Sequence, residues 1–340
     1  MNTSAPVVAV VGATGAAGGT VLRVLEERGF RHAELRLLAS ERSLGRVIPW
    51  NGRELTVRAV SADTLAGVDV AFFAAGALTS RRHAPEVAAG GGCAVDKSSA
   101  YRLDPGVPLV VPAVNASTLD GHQGIVANPN CVAIPLTMVL APLQRAFGLR
   151  QVTMATYQPA SGAGRDLVSE LAAQERDDAE GREPVASVYP HVLHGNVVPG
   201  GWKMHGADSD EELKIVAETR RVLGDDELRM SVTTVRVPVA VAHSAAVWVV
   251  LGKAATADEA RAVLRDAAGL VVVDEPAEQR YPTPRSVAGT DDVQVGRIRV
   301  DPGRENGLAL FFAADNLRRG AATNAVEVAE LLIGVPSARP

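Results

Sequence analysis

The sequence predicts an α/β protein in two parts: a first domain on a parallel sheet, and a second α+β domain on a mixed, largely antiparallel sheet. Three observations predict it. In the first third, short apolar runs alternate with helical periodicity, the pattern of strand–helix–strand units and a parallel sheet. A glycine-rich turn directly follows the first apolar run and opens a helix. From about residue 150 the rhythm changes to longer strand-like segments separated by polar helices.

Taken in order, Val7 to Val11 reads as a strand, Gly12 to Gly18 as a turn and Thr20 to Arg28 as a helix. Glu34 to Leu38, Val68 to Ala74 and Cys93 to Asp96 read as further strands, with Ser80 to Ala89 a helix between the last two. In the second part, Val152 to Tyr157, Leu228 to Val235, Ala245 to Leu251 and Gly307 to Ala314 read as strands. Gly164 to Glu175, Ser209 to Leu223, Thr256 to Ala267 and the C-terminal Thr323 to Ile333 read as helices. Asp177 to Pro184 is charged and ends in proline, which predicts a solvated loop. No internal repeat is visible.

The bulk numbers narrow the function classes. A length of 340 residues gives a prior of about two domains, each large enough to bury its own core. With 47% apolar, 21% charged and 4% aromatic residues, the core must be aliphatic. A net charge of −5 gives no electrostatic case for nucleic acid or an anionic membrane. Two cysteines build no disulfide framework and match no zinc spacing, so no metal is expected. No apolar run reaches the roughly 18 residues of a membrane span, and the first seven residues lack the basic and cleavage features of a signal peptide. The expectation is a soluble, cytoplasmic enzyme.

The turn Gly12-Ala13-Thr14-Gly15-Ala16-Ala17-Gly18 has Gly-x-x-Gly-x-x-Gly spacing, one residue off the commonest dinucleotide fingerprint. The physical need is the same: a tight turn, close backbone approach to pyrophosphate, and phosphate at a helix N-terminus. The end of the second strand bears on which nicotinamide is used. An NAD site usually places an acidic residue about 20 residues on, against the ribose 2′-hydroxyl. Here the segment is Leu38-Ala39-Ser40-Glu41-Arg42-Ser43, and Arg42 with Ser40 and Ser43 suits a 2′-phosphate better. NADP is therefore expected, with Glu41 dissenting.

The chemistry centres on Cys131, in Asn128-Pro129-Asn130-Cys131-Val132-Ala133, where an apolar run gives way to a helix. Unpaired backbone N–H groups and the positive end of the macrodipole bias such a thiol toward the nucleophilic thiolate. A thiol beside a nicotinamide fold suggests acyl-enzyme chemistry. Cys93, within an apolar strand, reads as structural.

Five ordered stretches carry a resemblance over nearly the whole chain: Gly12 to Gly18, Asn128 to Cys131, Tyr157-Gln158-Pro159-Ala160-Ser161-Gly162-Ala163-Gly164, Arg236-Val237-Pro238-Val239 followed by His243-Ser244, and Asp315-Asn316-Leu317-Arg318-Arg319-Gly320-Ala321. The chain resembles the aspartate-β-semialdehyde dehydrogenases. The resemblance implies a glyceraldehyde-3-phosphate-dehydrogenase-like architecture. Residues 1–128 would form a Rossmann-type NADP-binding domain completed by a C-terminal helix over 320–340, and residues 129–319 a catalytic and dimerisation domain. It implies a homodimer or a dimer of dimers. It also implies NADPH-dependent reductive dephosphorylation of L-4-aspartyl phosphate to L-aspartate 4-semialdehyde and phosphate, on the route to lysine, threonine and methionine.

The resemblance also gives roles. Cys131 would be the nucleophile and His243 the acid–base; position alone leaves a lone histidine open between that and a structural role. Gln158 would orient the acyl group or the thiol, with a polar strand end as the other reading. Arg236 would bind the substrate's α-carboxylate bidentately, and Asn130 belongs to the same substrate set. Glu211 is matched to the substrate ammonium and Lys214 to phosphate. They share a helix face at i, i+3, though Asp210 and Glu212 blur the register and leave an exposed ion pair as the other reading. Arg102 is matched to phosphate, or is a solvated loop charge. Ser161, Gly162 and Asn316 are matched to the cofactor, with helix capping the alternative for Asn316. His191 and His194 read as loop residues.

The chain departs from the family pattern at Lys97, where Asn is common, at Ala113, where Glu is common, and at Ala245, where Glu often follows His-Ser. Gly200-Gly201-Trp202 stands where an acidic, aromatic stretch is usual. These could retune substrate choice or mark a specialised paralogue. Two rival readings remain. N-acetyl-γ-glutamyl-phosphate reductase shares the Cys/His pair but needs a pocket for an acetylated amine, and a non-catalytic NADP-binding paralogue would not need Cys131, Gln158, Arg236 and His243 intact.

Overall fold

The computed structural model describes residues 5–334. The chain divides into two compact units, Met1–Asn130 with Ala321–Pro340, and Cys131–Gly320. Cys131 thus opens the second unit. Among the described residues no helix is long and apolar enough to cross a membrane.

The strands of the first unit are β1 (Val7–Val11), β2 (Glu34–Ala39), β3 (Val47–Trp50), β4 (Arg53–Thr56), β5 (Arg58–Ala59), β6 (Val70–Phe73), β7 (Cys93–Asp96) and β8 (Ile125–Ala127). Six of them form an all-parallel sheet in the order β5-β2-β1-β6-β7-β8. β1 is flanked by β2 on one side and β6 on the other, so the strand order reverses there. That switch point is where ligands of doubly wound folds bind. β1 and β6 are buried almost throughout, as parallel strands covered on both faces must be. The helix Ala16–Glu27 buries Val21, Leu22, Val24 and Leu25 against them. It starts at Ala16, earlier than the expected Thr20, because Ala16 to Gly19 already form its first turn.

The hairpin β3–β4 was not expected, although Asn51-Gly52 between the strands is a strong hairpin turn signal. Both residues take positive φ, 47° and 71°. The C-terminal helix Asn324–Leu332 belongs to this unit. It contributes Ala325, Val326, Val328 and Ala329 to the core, and Arg28 grips Glu330 through two hydrogen bonds of 2.8 and 2.6 Å. The helix expected to continue through 340 is helical to Leu332; residues 335–340, like residues 1–4 ahead of the first strand, lie outside the described residues.

The second unit opens with the helix Ala133–Phe147 and contains β9 (Leu149–Gln158), the short hairpin β10 (Met204–His205) and β11 (Asp208–Ser209), then β12 (Arg229–Arg236), β13 (His243–Leu251), β14 (Leu270–Val272), β15 (Val293–Val300) and β16 (Gly307–Ala314). The main sheet has the order β12-β9-β13-β16-β15-β14. The β12–β9 and β14–β15 pairs are parallel and the remaining three antiparallel, giving the mixed sheet expected. β15 was missed: its alternation is broken at Gly296 and Arg297, where a bulge puts Arg297 at φ 53°.

One loop expectation needs correction. The helix Arg165–Ala179 runs through Asp177 and Asp178, so the segment from 177 to 184 is a loop only beyond Ala179. Charge does not end a helix. Burial of Leu167, Glu170, Leu171 and Gln174 on one face carries it on, and Gly181 at φ 72° stops it.

Candidate active site

The main sheet of the second unit brings the candidate residues to one of its ends. Parallel pairing of β9 with β12 puts Gln158 opposite Arg236, and antiparallel pairing of β13 with β16 puts His243 opposite Ala314. These four residues therefore finish or begin four adjacent strands. Cys131 lies just ahead of the helix Ala133–Phe147, whose N-cap is Val132. Its Sγ is 3.0 Å from Nε2 of His243.

His243 is fully buried, and its Nδ1 has no hydrogen-bond partner among the described residues. Burial first, then the nearby Arg236 charge, pushes its imidazole from the usual 6.5 down to about 3. The ring is neutral at working pH, so in the tautomer with its proton on Nδ1 the Nε2 lone pair faces the thiol and can take its proton. For the acid–base expectation this means that His243 rests as a neutral ring, not as a group half-charged near neutrality. A stability consequence follows from the lowered value. An unfolded His243 protonates near pH 6.5 while the folded one stays neutral to about pH 3. Stability is thus fully present above 6.5 and falls as pH drops through that window, by up to about 1.4 kcal/mol per pH unit. His243→Gln should flatten the loss by up to one proton, read from urea melts at pH 7 and pH 5. An unchanged slope would contradict the buried neutral ring.

The segment around His243 is tied down by Asn316. Its Oδ1 accepts hydrogen bonds from Ser161 Oγ at 3.1 Å and from the Ala242 N–H at 3.0 Å. Ala242 sits at φ 79°, a conformation costly for a side-chain-bearing residue, directly before the histidine. Gly320, within the π-helical turn Arg318–Thr323, packs onto Cys131; a Cβ there would stand 2.8 Å from the Cys131 carbonyl oxygen.

Arg236 is 2% exposed. Its Nη1 donates to the Pro159 carbonyl at 2.7 Å, and its Nε has no partner among the described residues. A buried guanidinium N–H without an acceptor is a costly vacancy that an incoming carboxylate would fill. Gly162 separates Arg236 from His243: a Cβ on it would come within 3.0 Å of Nη1 and 3.7 Å of the imidazole.

The helix Asp210–Leu223 settles the register that its run of acids left open. Ser209 caps it, and Glu212 completes the capping box, accepting from the Ser209 N–H at 2.7 Å and the Thr234 N–H at 2.8 Å. Asp210 is taken by Lys214 at 2.7 Å. Glu211 is buried, with Gln158 Nε2 at 3.5 Å from its Oε1. Glu211 thus joins Gln158, while Lys214 is held in an i, i+4 ion pair.

In the first unit the glycine turn is built for close approach. Gly12, at φ 90°, has no room for a Cβ, which would lie 2.8 Å from the Ala74 backbone, and a Cβ on Gly18 would lie 2.1 Å from the Gly12 carbonyl oxygen. Gly15 caps the Ala16–Glu27 helix without a side-chain bond, and no acidic residue occupies the first turn. Ala13, Thr14, Ala16 and Ala17 add no bulk or negative charge. This cradle and helix terminus fit a pyrophosphate. Thr14 Oγ1 and Ser43 Oγ hydrogen-bond at 3.2 Å, joining the turn to the end of β2, where Ser40 and Arg42 are exposed. Arg102 is buried, donating to the backbone carbonyls of Asn128 at 3.0 Å and Lys97 at 2.6 Å, so it is no solvated loop charge. Asn130 is also buried.

Other residues fall elsewhere. Cys93 is buried, its thiol pushed up to about 12 by burial, which keeps it protonated and inert. His194 pairs with Asp178 at 3.1 Å, and His191 is exposed. Ala245 is fully buried between Thr156 and Phe312 of the neighbouring strands, and Ala113 is exposed. Asp315, at the start of the stretch that runs to Ala321, accepts hydrogen bonds from the Leu317, Arg318 and Gly289 N–H groups, which no local sequence signal marks. Tyr189, beside Arg236, carried no sequence signal.

Comparison with known proteins agrees with this layout. Residues 7–122 match the family described as "Semialdehyde dehydrogenase, NAD binding domain", and residues 140–319 match "Semialdehyde dehydrogenase, dimerisation domain". An aspartate-semialdehyde dehydrogenase of Aquifex aeolicus is 44% identical, with 96% of this chain and 97% of that protein aligned. One from Bacillus subtilis is 39% identical with 96% of each covered. The crystal structure of aspartate semialdehyde dehydrogenase II from Vibrio cholerae superposes with a TM-score of 0.94 at 37% identity, covering 97% of this chain and 99% of that one. The same enzyme in complex with ASA matches equally well, at a TM-score of 0.94.

Proposed function

The chain belongs to the aspartate-semialdehyde dehydrogenase family, and from that premise we propose how its residues perform the reaction. It catalyses the reductive dephosphorylation of L-4-aspartyl phosphate to L-aspartate 4-semialdehyde with a nicotinamide cofactor, within lysine, threonine and methionine biosynthesis. The observation that carries the mechanism is the 3.0 Å contact between Cys131 and His243.

Cys131 attacks the acyl carbon as its proton passes to His243 Nε2. The new C–S bond forms, the C–O bond to phosphate breaks, and phosphate leaves a thioester on Cys131. When bound, the nicotinamide supplies a hydride to this chemistry. Collapse of the resulting tetrahedral adduct on sulfur frees the aldehyde and a thiolate, which recovers the proton His243 holds. Gln158, anchored at the end of β9, orients the acyl group. Arg236 offers its Nε to the α-carboxylate, and Glu211, buried beside Gln158, is assigned to the ammonium on the resemblance. That choice of a free ammonium favours this reaction over N-acetyl-γ-glutamyl-phosphate reduction. Lys214, Arg102 and Asn130 are assigned to phosphate and substrate on the resemblance. Ser161, Gly162 and Asn316 are assigned to the nicotinamide on the same ground.

For the cofactor, the match to an NAD binding domain supports a nicotinamide dinucleotide. We propose NADP, held by the turn Gly12 to Gly18 and by Ser40, Arg42 and Ser43 at the 2′-phosphate. The match to a dimerisation domain supports a homodimer, and pairing of two dimers is proposed on the resemblance. A cytoplasmic location is proposed on the same ground. The test is an assay of purified protein with aspartate semialdehyde, phosphate and NADP, followed at the nicotinamide absorbance. Sustained reduction of NADP without phosphate, beyond one equivalent per active site, or none with it, would refute the reaction. In the same assay Arg42→Ala should weaken NADP by about 1–3 kcal/mol, the worth of a charge-assisted contact, and leave NAD use little changed. Equal loss with both nicotinamides would overturn the NADP assignment.

A further inference from the structure

The unusual Gly200-Gly201-Trp202 segment comes to rest on Arg236. The indole of Trp202 lies 4.5 Å from Cζ of the guanidinium, and the Tyr189 ring lies 5.7 Å from it. The segment is seated there by its own backbone. Val198 and Arg236 exchange two main-chain hydrogen bonds of 2.9 and 2.8 Å, tying the start of the loop to β12. Tyr189 Oη donates to the Gly200 carbonyl at 2.6 Å. Gly201, at φ 84°, passes so close to Tyr189 that a Cβ would stand 1.9 Å from its hydroxyl oxygen. Only glycine can make that approach, and it delivers the next residue, Trp202, to the face of the guanidinium.

We propose that Trp202, with Tyr189 behind it, is a positioning residue that clamps the guanidinium of Arg236 and so sets recognition of the substrate's carboxylate. The proposal rests on the reading that Arg236 binds that carboxylate. Arg236 donates through Nη1 to Pro159 and is within side-chain hydrogen-bond reach of Tyr189, while its Nε has no partner among the described residues. A half-held fork on a long side chain would turn about its bonds. An aromatic face over the guanidinium removes that freedom and keeps water off the charge, holding the fork ready for a planar carboxylate. The contact that places Trp202 is with Arg236, the residue read as holding the carboxylate, so its contribution falls on binding and not on the chemical step.

Steady-state kinetics with aspartate semialdehyde, phosphate and NADP tests the clamp. Trp202→Ala should raise KM for the semialdehyde about 5- to 30-fold, the range of a desolvated cation–π contact. Its kcat and its KM for NADP should stay within about 2-fold of the parent, since the clamp does not act on the chemical step. Trp202→Phe should restore most of the affinity, and Trp202→Leu, which fills space without a π-face, should not. In Arg236→Lys, which has no planar fork to hold, adding Trp202→Ala should change nothing further. If Leu rescues as well as Phe, or if kcat falls instead of KM rising, the clamp is wrong. If Arg236→Lys raises KM for the semialdehyde while Trp202→Ala does not, the clamp fails and the carboxylate reading stands. If Arg236→Lys leaves that KM unchanged, the carboxylate reading fails and the clamp falls with it.

Discussion

Cys131→Ala will abolish both directions of the reaction, reduction of the acyl phosphate and phosphate-dependent oxidation of the semialdehyde. Without sulfur no thioester forms, and no second group at the site offers the same chemistry. Cys93, the other cysteine, is buried and kept as a thiol by its apolar surroundings. The loss should be the full enzymatic rate, with the fold intact, because Cys131 is only partly buried and alanine fits its place. Mass spectrometry of the parent enzyme, mixed with semialdehyde and NADP in the absence of phosphate, should find an acyl adduct on the peptide carrying Cys131. Activity surviving in Cys131→Ala, or an adduct on Cys93, would end the thioester mechanism while leaving the fold untouched.

His243→Ala should lose about 10²- to 10⁴-fold in rate, the usual worth of a positioned acid–base. The thiol should remain and still be alkylated at Cys131, more slowly at neutral pH, since its proton acceptor at 3.0 Å is gone. Because the imidazole of the free enzyme sits near 3, activity in the parent should not fall through the ordinary histidine range as pH drops from 7 to 5. The pH profile of kcat/KM reads this directly. An acid limb centred near 6.5 that vanishes in His243→Ala would show that the resting histidine titrates normally, contrary to its burial beside Arg236.

Much of this arrangement was legible in the chain. The glycine turn announced itself because a tight turn and a close helix demand glycine locally, at Gly12 and Gly18. Cys131 did so because strand, Asn-Pro-Asn turn and helix follow one another in sequence. The capping role of Glu212 was readable in principle, since Ser209 and Glu212 have capping-box spacing. What stayed hidden depends on neighbours far apart in the chain. Nothing near Gly320 says that Cys131 lies against it, 189 positions earlier by number (320 − 131). Asn316 holds Ser161 and Ala242 together only once β16 and β13 are paired. The neutral state of His243 likewise comes first from its burial in the assembled unit and then from Arg236, which the pairing of β12 with β9 and of β9 with β13 brings near it. The β3–β4 hairpin is the opposite case, a local signal at Asn51-Gly52 that was present and passed over.

Placing Gln158, Arg236 and His243 on strand ends has a consequence for how this site fails under stress. β9 and β13 are interior strands, paired on both sides, and their amides open to solvent only when the sheet itself comes apart. Gln158 and His243 therefore share the lifetime of the sheet itself and do not fray ahead of it. The segment 199–208, which is exposed nearly throughout and carries Trp202, has no such partnership beyond the two residue pairs of β10 and β11. Under mild denaturant or warming, amide deuteration should sweep through that segment long before it reaches Tyr157 or Ser244. The enzyme should then lose its grip on substrate while the thiol–imidazole pair is still assembled.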